Sequence, residues 1–151
     1  GACDDGAAVY QAQLQINEFM ASNAWTVADD DGKYFDWIEI YNPHYEDLSL
    51  EKMSLTDTLD EPDKHILGEL VVPAEGFILL WASGTPEAGE NYLGFKLSQE
   101  GEAIGLFDKR DSPVDTLEYG PQATDFSAAR LSDGSEEWGI MEIPTPGESN
   151  Q

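Results

Sequence analysis

The sequence predicts an all-β domain, an immunoglobulin-like sandwich of two antiparallel sheets with roughly eight or nine short strands over residues 14–151. Three observations carry that prediction. Apolar stretches are broken roughly every eight to twelve residues by Gly, Pro and Asp clusters. Where a period is legible it is two, as for a strand, and no convincing amphipathic helix stands out. Hairpin turns dominate the punctuation, and an antiparallel sheet with one apolar face needs a second sheet to cover it.

The strands follow in order. Leu14–Met20 opens with alternation. Trp37–Tyr41 alternates cleanly, which puts Ile38 and Ile40 on one face and Trp37, Glu39 and Tyr41 on the other. Glu39 is expected to accept a hydrogen bond or to stay wet. Leu48–Leu50 and Leu70–Val72 are short candidates. Phe77–Ala82 is continuously apolar and follows the turn Pro73-Ala74-Glu75-Gly76, so it reads as a strand covered on both sides or a buried central strand. Tyr92–Leu97, Ala103–Phe107, Val114–Tyr119, Ala128–Leu131 and Trp138–Met141 complete the set, separated by Gly-, Asp- and Pro-containing turns. Pro144-Thr145-Pro146-Gly147 fixes φ twice and then releases it, as suits a chain leaving the sandwich.

Charge restricts function. The 151 residues carry 31 Asp and Glu against 7 Lys and Arg, a formal net charge of -24. Seven scattered cations (Lys33, Lys52, Lys64, Lys96, Lys109, Arg110, Arg130) supply no basic stripe, so nucleic acid is not an expected partner. Anionic lipid headgroups are disfavoured on the same ground. Four Trp, six Tyr and six Phe give the chain enough large apolar area to fold despite its charge. No apolar run approaches the roughly 20 residues of a membrane span, so membrane insertion is not expected. Such acidity suits a saline or calcium-rich extracellular setting, where counterions screen self-repulsion.

Cys3 is the lone cysteine, which excludes an intrachain disulfide. Gly1-Ala2-Cys3 followed by Asp4-Asp5-Gly6-Ala7-Ala8 resembles the processed end of a bacterial lipoprotein, with Cys3 as the lipidated residue and 1–13 as a flexible tether. The competing reading is a chance free thiol on a frayed terminus.

A longer resemblance spans roughly Leu14 to Asn150. It runs through Ile16-Asn17-Glu18-Phe19-Met20-Ala21-Ser22-Asn23, Asp36-Trp37-Ile38-Glu39-Ile40-Tyr41-Asn42, Leu55-Thr56-Asp57, Pro73-Ala74-Glu75-Gly76 and Leu80-Trp81-Ala82-Ser83-Gly84. It continues through Phe95-Lys96-Leu97-Ser98, Gly101–Asp108, Arg130-Leu131-Ser132-Asp133-Gly134-Ser135, Trp138 and Pro144–Asn150. In order and spacing these strings resemble the lamin tail domain in its bacterial form, an immunoglobulin-like sandwich of envelope and secreted proteins. The resemblance implies that fold and no common enzymatic activity.

The sharpest chemical candidate is Asp29-Asp30-Asp31-Gly32 with Asp36 beyond it. Asp29, Asp31 and Asp36 form a candidate Ca²⁺ loop, since a hard cation relieves repulsion among adjacent carboxylates and Gly32 permits the bend. The spacing is not that of an EF-hand. Asp57 and Asp60, with Glu61 and Asp63, form a second, weaker candidate; the competing reading for both groups is a solvated acidic loop. His44 and His65 read as surface histidines without ligand partners, and Arg130 as an ion-paired structural residue. No nucleophile or phosphate-loop motif is present.

These readings lead to a noncatalytic envelope or secreted module that binds a protein or glycan partner, with Trp25, Tyr34 and Tyr45 as candidate contact residues. The alternative is an accessory domain of a divalent-dependent secreted hydrolase, or such a hydrolase itself.

Overall fold

A computed structural model describes residues 10–150. Among these described residues eleven strands run in the order β1 (Gln15–Met20), β2 (Asp36–Tyr41), β3 (Leu48–Ser49), β4 (Ser54–Thr56), β5 (His65–Ile66), β6 (Val71–Val72), β7 (Phe77–Ala82), β8 (Glu102–Phe107), β9 (Pro113–Tyr119), β10 (Ser127–Arg130) and β11 (Trp138–Met141), with a 3-10 turn at Pro86–Ala88. A five-stranded sheet has the order β11-β10-β1-β2-β7, a four-stranded sheet the order β5-β4-β8-β9, and β3 and β6 form a ribbon. All their pairings are antiparallel. The fold is an immunoglobulin-like β-sandwich. No helix among the described residues is long and apolar enough to cross a membrane.

The core follows from strand alternation. In the five-stranded sheet Ile16 faces Ile40, Phe19 faces Ile38 and Ile38 faces Leu80. That face packs with Leu55, Ile104 and Leu106 of the other sheet, and all eight side chains are buried. Each adds roughly 1.5–3 kcal/mol of burial relative to exposure, so this interface is the main cohesive element.

The outer face of the five-stranded sheet is buried as well. Trp37, Met20 and Trp81 form a second, smaller cluster there, covered by Val27 and Phe35 from the β1–β2 loop and by Tyr92. Further along that face the C-terminal segment returns over Glu18 and Glu39. Thr145 donates its amide and hydroxyl to Glu18, Gly147 donates to Glu39, and Asn150 Nδ2 donates to the carbonyls of Asn17 and Arg130. The Pro144–Gly147 stretch therefore does not lead away from the sandwich. Its prolines and positive-φ Gly147 fold the chain back, and the bonds to buried carboxylates hold it there.

Other expectations also need correction. Phe77–Ala82 is an edge strand of its sheet, not a central one; β1 is central. Its continuous apolarity reflects cover from outside the ladder, where Trp81 N donates to Asn91 O and Leu93 N to Trp81 O. Tyr92–Leu97 makes that cover without becoming a strand, contributing one parallel bridge between Tyr92 and Trp81. The strand number exceeds the expected eight or nine because β4 and β5 are too short and polar to show as runs.

Within the stretch read as a tether, Tyr10 packs its ring 4.4 Å from that of His44, and Gln11 Nε2 donates to Ser49 O. Cys3 lies outside the described residues.

Candidate functional site

Trp25 is the most exposed tryptophan among the described residues, at 72%. Its loop leaves β1 through Asn23, a residue type that bonds its own following backbone. Asn23 Oδ1 accepts from the amides of Thr26 and Val27, and Nδ2 donates to the carbonyls of Val27 and Phe35. A second clamp arrives from far along the chain. Asp125 Oδ1 accepts from the amides of Ala24 (2.9 Å), Trp25 (3.0 Å) and Thr26 (3.2 Å) and from the Thr26 hydroxyl (2.8 Å). Asp125 itself sits at φ 65°, a left-handed conformation that Asp tolerates better than most residues. Burial pushes its carboxyl pKa up, but the hydrogen bonds from Trp25, Thr26 and Ala24 outweigh burial and hold it below the usual range. The indole thus projects into solvent from a backbone held at both ends.

Tyr34 and Tyr45 are also exposed, at 45% and 73%. Tyr45 stacks on His44, whose other neighbour is Tyr10. His44 is buried, contrary to the surface reading, because these two rings cover it while its Nδ1 accepts from Glu46 N. His65 is half-buried; burial lowers its pKa, and its Nδ1 accepts from Gly94 N.

The acidic candidates are dispersed. Asp29 Oδ1 accepts from the amides of Asp31 and Lys33, closing its own turn, and Oδ2 accepts from the Tyr92 hydroxyl at 2.7 Å. The Lys33 amide and the Tyr92 hydroxyl hold its carboxyl below the usual range. Asp31 is exposed. Asp36 turns to a different segment and accepts from Leu97 N at 3.1 Å; burial lifts it to about 6 against the pull of that amide and of Lys96. Asp57 pairs with Lys64 at 2.6 Å, and Asp60 is exposed. Among the described residues no three His, Cys, Asp or Glu side chains form a group that could hold a metal ion.

Arg130 is ion-paired and structural. Its Nη2 lies 2.9 Å from Asp115 Oδ2, its Nε donates to Ile16 O, and its guanidinium stands 5.0 Å from the Trp138 ring centroid. The same Asp115 oxygen accepts from Ile16 N, so one pair joins β1, β9 and β10.

Sequence reasoning allowed Glu39 a hydrogen bond, which it accepts, but missed its full burial and missed Glu18. Glu18 and Glu39 are cross-strand partners on the outer face, and neither is exposed. Glu39 accepts from Asn17 Nδ2 and Gly147 N. Glu18 accepts from Ser127 Oγ and from Thr145. Burial is the main cause that lifts Glu39 to about 8; the charges of Glu18 and Asp133 add to it, and the Gly147 and Asn17 bonds oppose it. The one visible signal is an acid at an alternating position beside Trp37.

The fold and these sites define an immunoglobulin-like domain whose buried acids serve as internal acceptors. A family model for the Lamin Tail Domain matches residues 8–121, and the chain belongs to that family. No curated protein matches the chain significantly.

Proposed function

We propose that this lamin tail domain is a noncatalytic binding module of the bacterial cell envelope or of secreted material, which holds a protein or glycan partner through Trp25. An exposed indole on a loop bound by Asn23 and Asp125 carries this reading. Exposing a large apolar ring is unfavourable in water, and fixing its backbone reduces the ordering needed when a partner covers it. Acylated Cys3 would tether the module, and the net charge of -24 suits a setting where salt screens it.

The test titrates the whole chain with solubilised peptidoglycan fragments and with envelope proteins, reading tryptophan fluorescence. Saturable binding is expected, lost in Trp25→Ala without change in melting temperature. Asp125→Ala should weaken binding and destabilise the fold by about 2 kcal/mol, because it orphans several backbone amides. Equal binding by Trp25→Ala, or divalent-dependent hydrolysis of a probe, would overturn the proposal.

A further inference from the structure

The two sheets end unequally on one side. The four-stranded sheet stops at β9, while the five-stranded sheet continues to β11. Leu117 and Tyr119 face inward on β9, being cross-strand partners of Ile104 and Glu102. Trp138 and Ile140 lie on the core-facing side of β11, opposite Arg130 and Ala128. Ile140 is 65% exposed although its partner Ala128 is buried, and it borders a small recess with Pro121, Ala123 and Phe126. Next along β11, at Trp138, opens a cavity of about 210 Å³ lined by Phe19, Leu117, Tyr119, Ala128 and Trp138, with Glu118 at its wall.

The backbone of β11 is open at the same place. Leu131 N donates to Glu137 O, which makes 131 and 137 a hydrogen-bonded pair. Alternation along an antiparallel ladder then turns the N–H and C=O of Trp138 and Ile140 away from β10. The other edges are guarded. β7 is covered by Asn91 and Leu93, β5 has two residues, and β9 begins at Pro113 with an irregular register. β11 has no charge, proline or register shift.

We infer that the β11 edge and the apolar seam beside it dock an extended, basic segment of a partner protein, which adds a strand to the five-stranded sheet. Main-chain hydrogen bonds supply affinity in such additions, and alternate side chains fill the adjoining pocket. Charge selects the partner. Glu118, Glu136, Glu137 and Glu142 are all exposed around the seam, whereas Arg130 beside Trp138 is committed to Asp115. A second copy would bring another net charge of -24 to the same place, so self-pairing is opposed. This site uses residues other than Trp25, and its outcome is independent of that proposal.

The probe is a short labelled peptide alternating Lys with Val, compared by anisotropy with the same peptide carrying Glu for Lys. Because any cationic peptide is drawn to an acidic protein, Ile140→Lys is compared with Val71→Lys, an equal charge change at another exposed strand position. Expected results are saturable binding of the Lys peptide, slower hydrogen exchange at the Trp138 and Ile140 amides, and affinity lowered about tenfold or more by Ile140→Lys alone. Both variants should fold, since surface substitutions of this kind change stability little. Equal loss in the two variants, equal binding of the Glu peptide, or no binding of the Lys peptide would overturn the inference. So would concentration-dependent dimers that protect the same amides, or binding that emerges only after residues 1–9 are removed.

Discussion

Glu18 and Glu39 stand opposite each other on β1 and β2, fully buried, with the C-terminal segment closed over both. Burial, with the Glu18 charge adding to it, raises the Glu39 carboxyl to about 8. The tail therefore depends on the charge state of the sheet beneath it.

A pH dependence follows. Glu39 titrates near 8 in the folded chain against an ordinary 4.5, and Asp36 near 6 against 3.8. Between the ordinary and raised values the native state holds protons that the unfolded chain has released, so stability falls as pH rises through each window. Asp29 and Asp125 act oppositely: their stabilisation is present above the ordinary 3.8 and is lost as pH falls through their lowered values. Thermal melts should show a higher melting temperature at mildly acidic pH than at pH about 8. Glu39→Gln should flatten the decline between the ordinary 4.5 and about 8, which amounts to a few kcal/mol at about 1.4 kcal/mol per pKa unit. A wild-type profile level from mildly acidic to mildly alkaline pH would refute this account.

Arg130 and Asp115 give a second prediction. Replacing Arg130 by Lys keeps a charge but removes the planar fork that reaches Ile16 O, Ser135 O and Asp115 together. Denaturant titration should show a loss of about 2–3 kcal/mol. A double-mutant cycle with Asp115→Asn should give a coupling of about 1 kcal/mol or more, and additivity would show that the pair is not a unit.

Salt and calcium separate cleanly. Three donors already occupy the Asp29 carboxylate, and Asp36 serves Leu97. Chelator-treated protein should melt higher as NaCl rises, because screening reduces repulsion within a chain of net charge -24. At equal ionic strength Ca²⁺ should add nothing beyond Mg²⁺ in calorimetric titration. Asp29→Asn should lower the melting temperature equally with and without Ca²⁺. A saturable calcium heat lost in that variant would instead make the loop a metal site.

Local pattern carried the fold further than the site. The alternation of Trp37–Tyr41 distinguishes the two faces of β2, and the structure keeps Ile38 and Ile40 in the main core. Alternation does not show that the other face will also be covered, because the cover comes from 144–150, whose prolines look like an exit. Phe77–Ala82 shows burial without position: an edge strand flanked by Asn91 and Leu93 is as apolar as a central one. Asp125 is the plainest loss. Its acceptor role is defined by amides about a hundred residues earlier, and no spacing in a single chain encodes that meeting.

The returning tail also determines how the domain bears mechanical load. A pull applied at Asn150 acts first on its bonds to Asn17 O and Arg130 O, in the middle of the five-stranded sheet rather than at its rim. The contacts at Gly147 and Thr145 take the load next, one after another, before β11 is tugged from its end. Force thus spends itself in stripping a strap before it reaches a strand, and the sandwich behaves under tension as a body with its own slack.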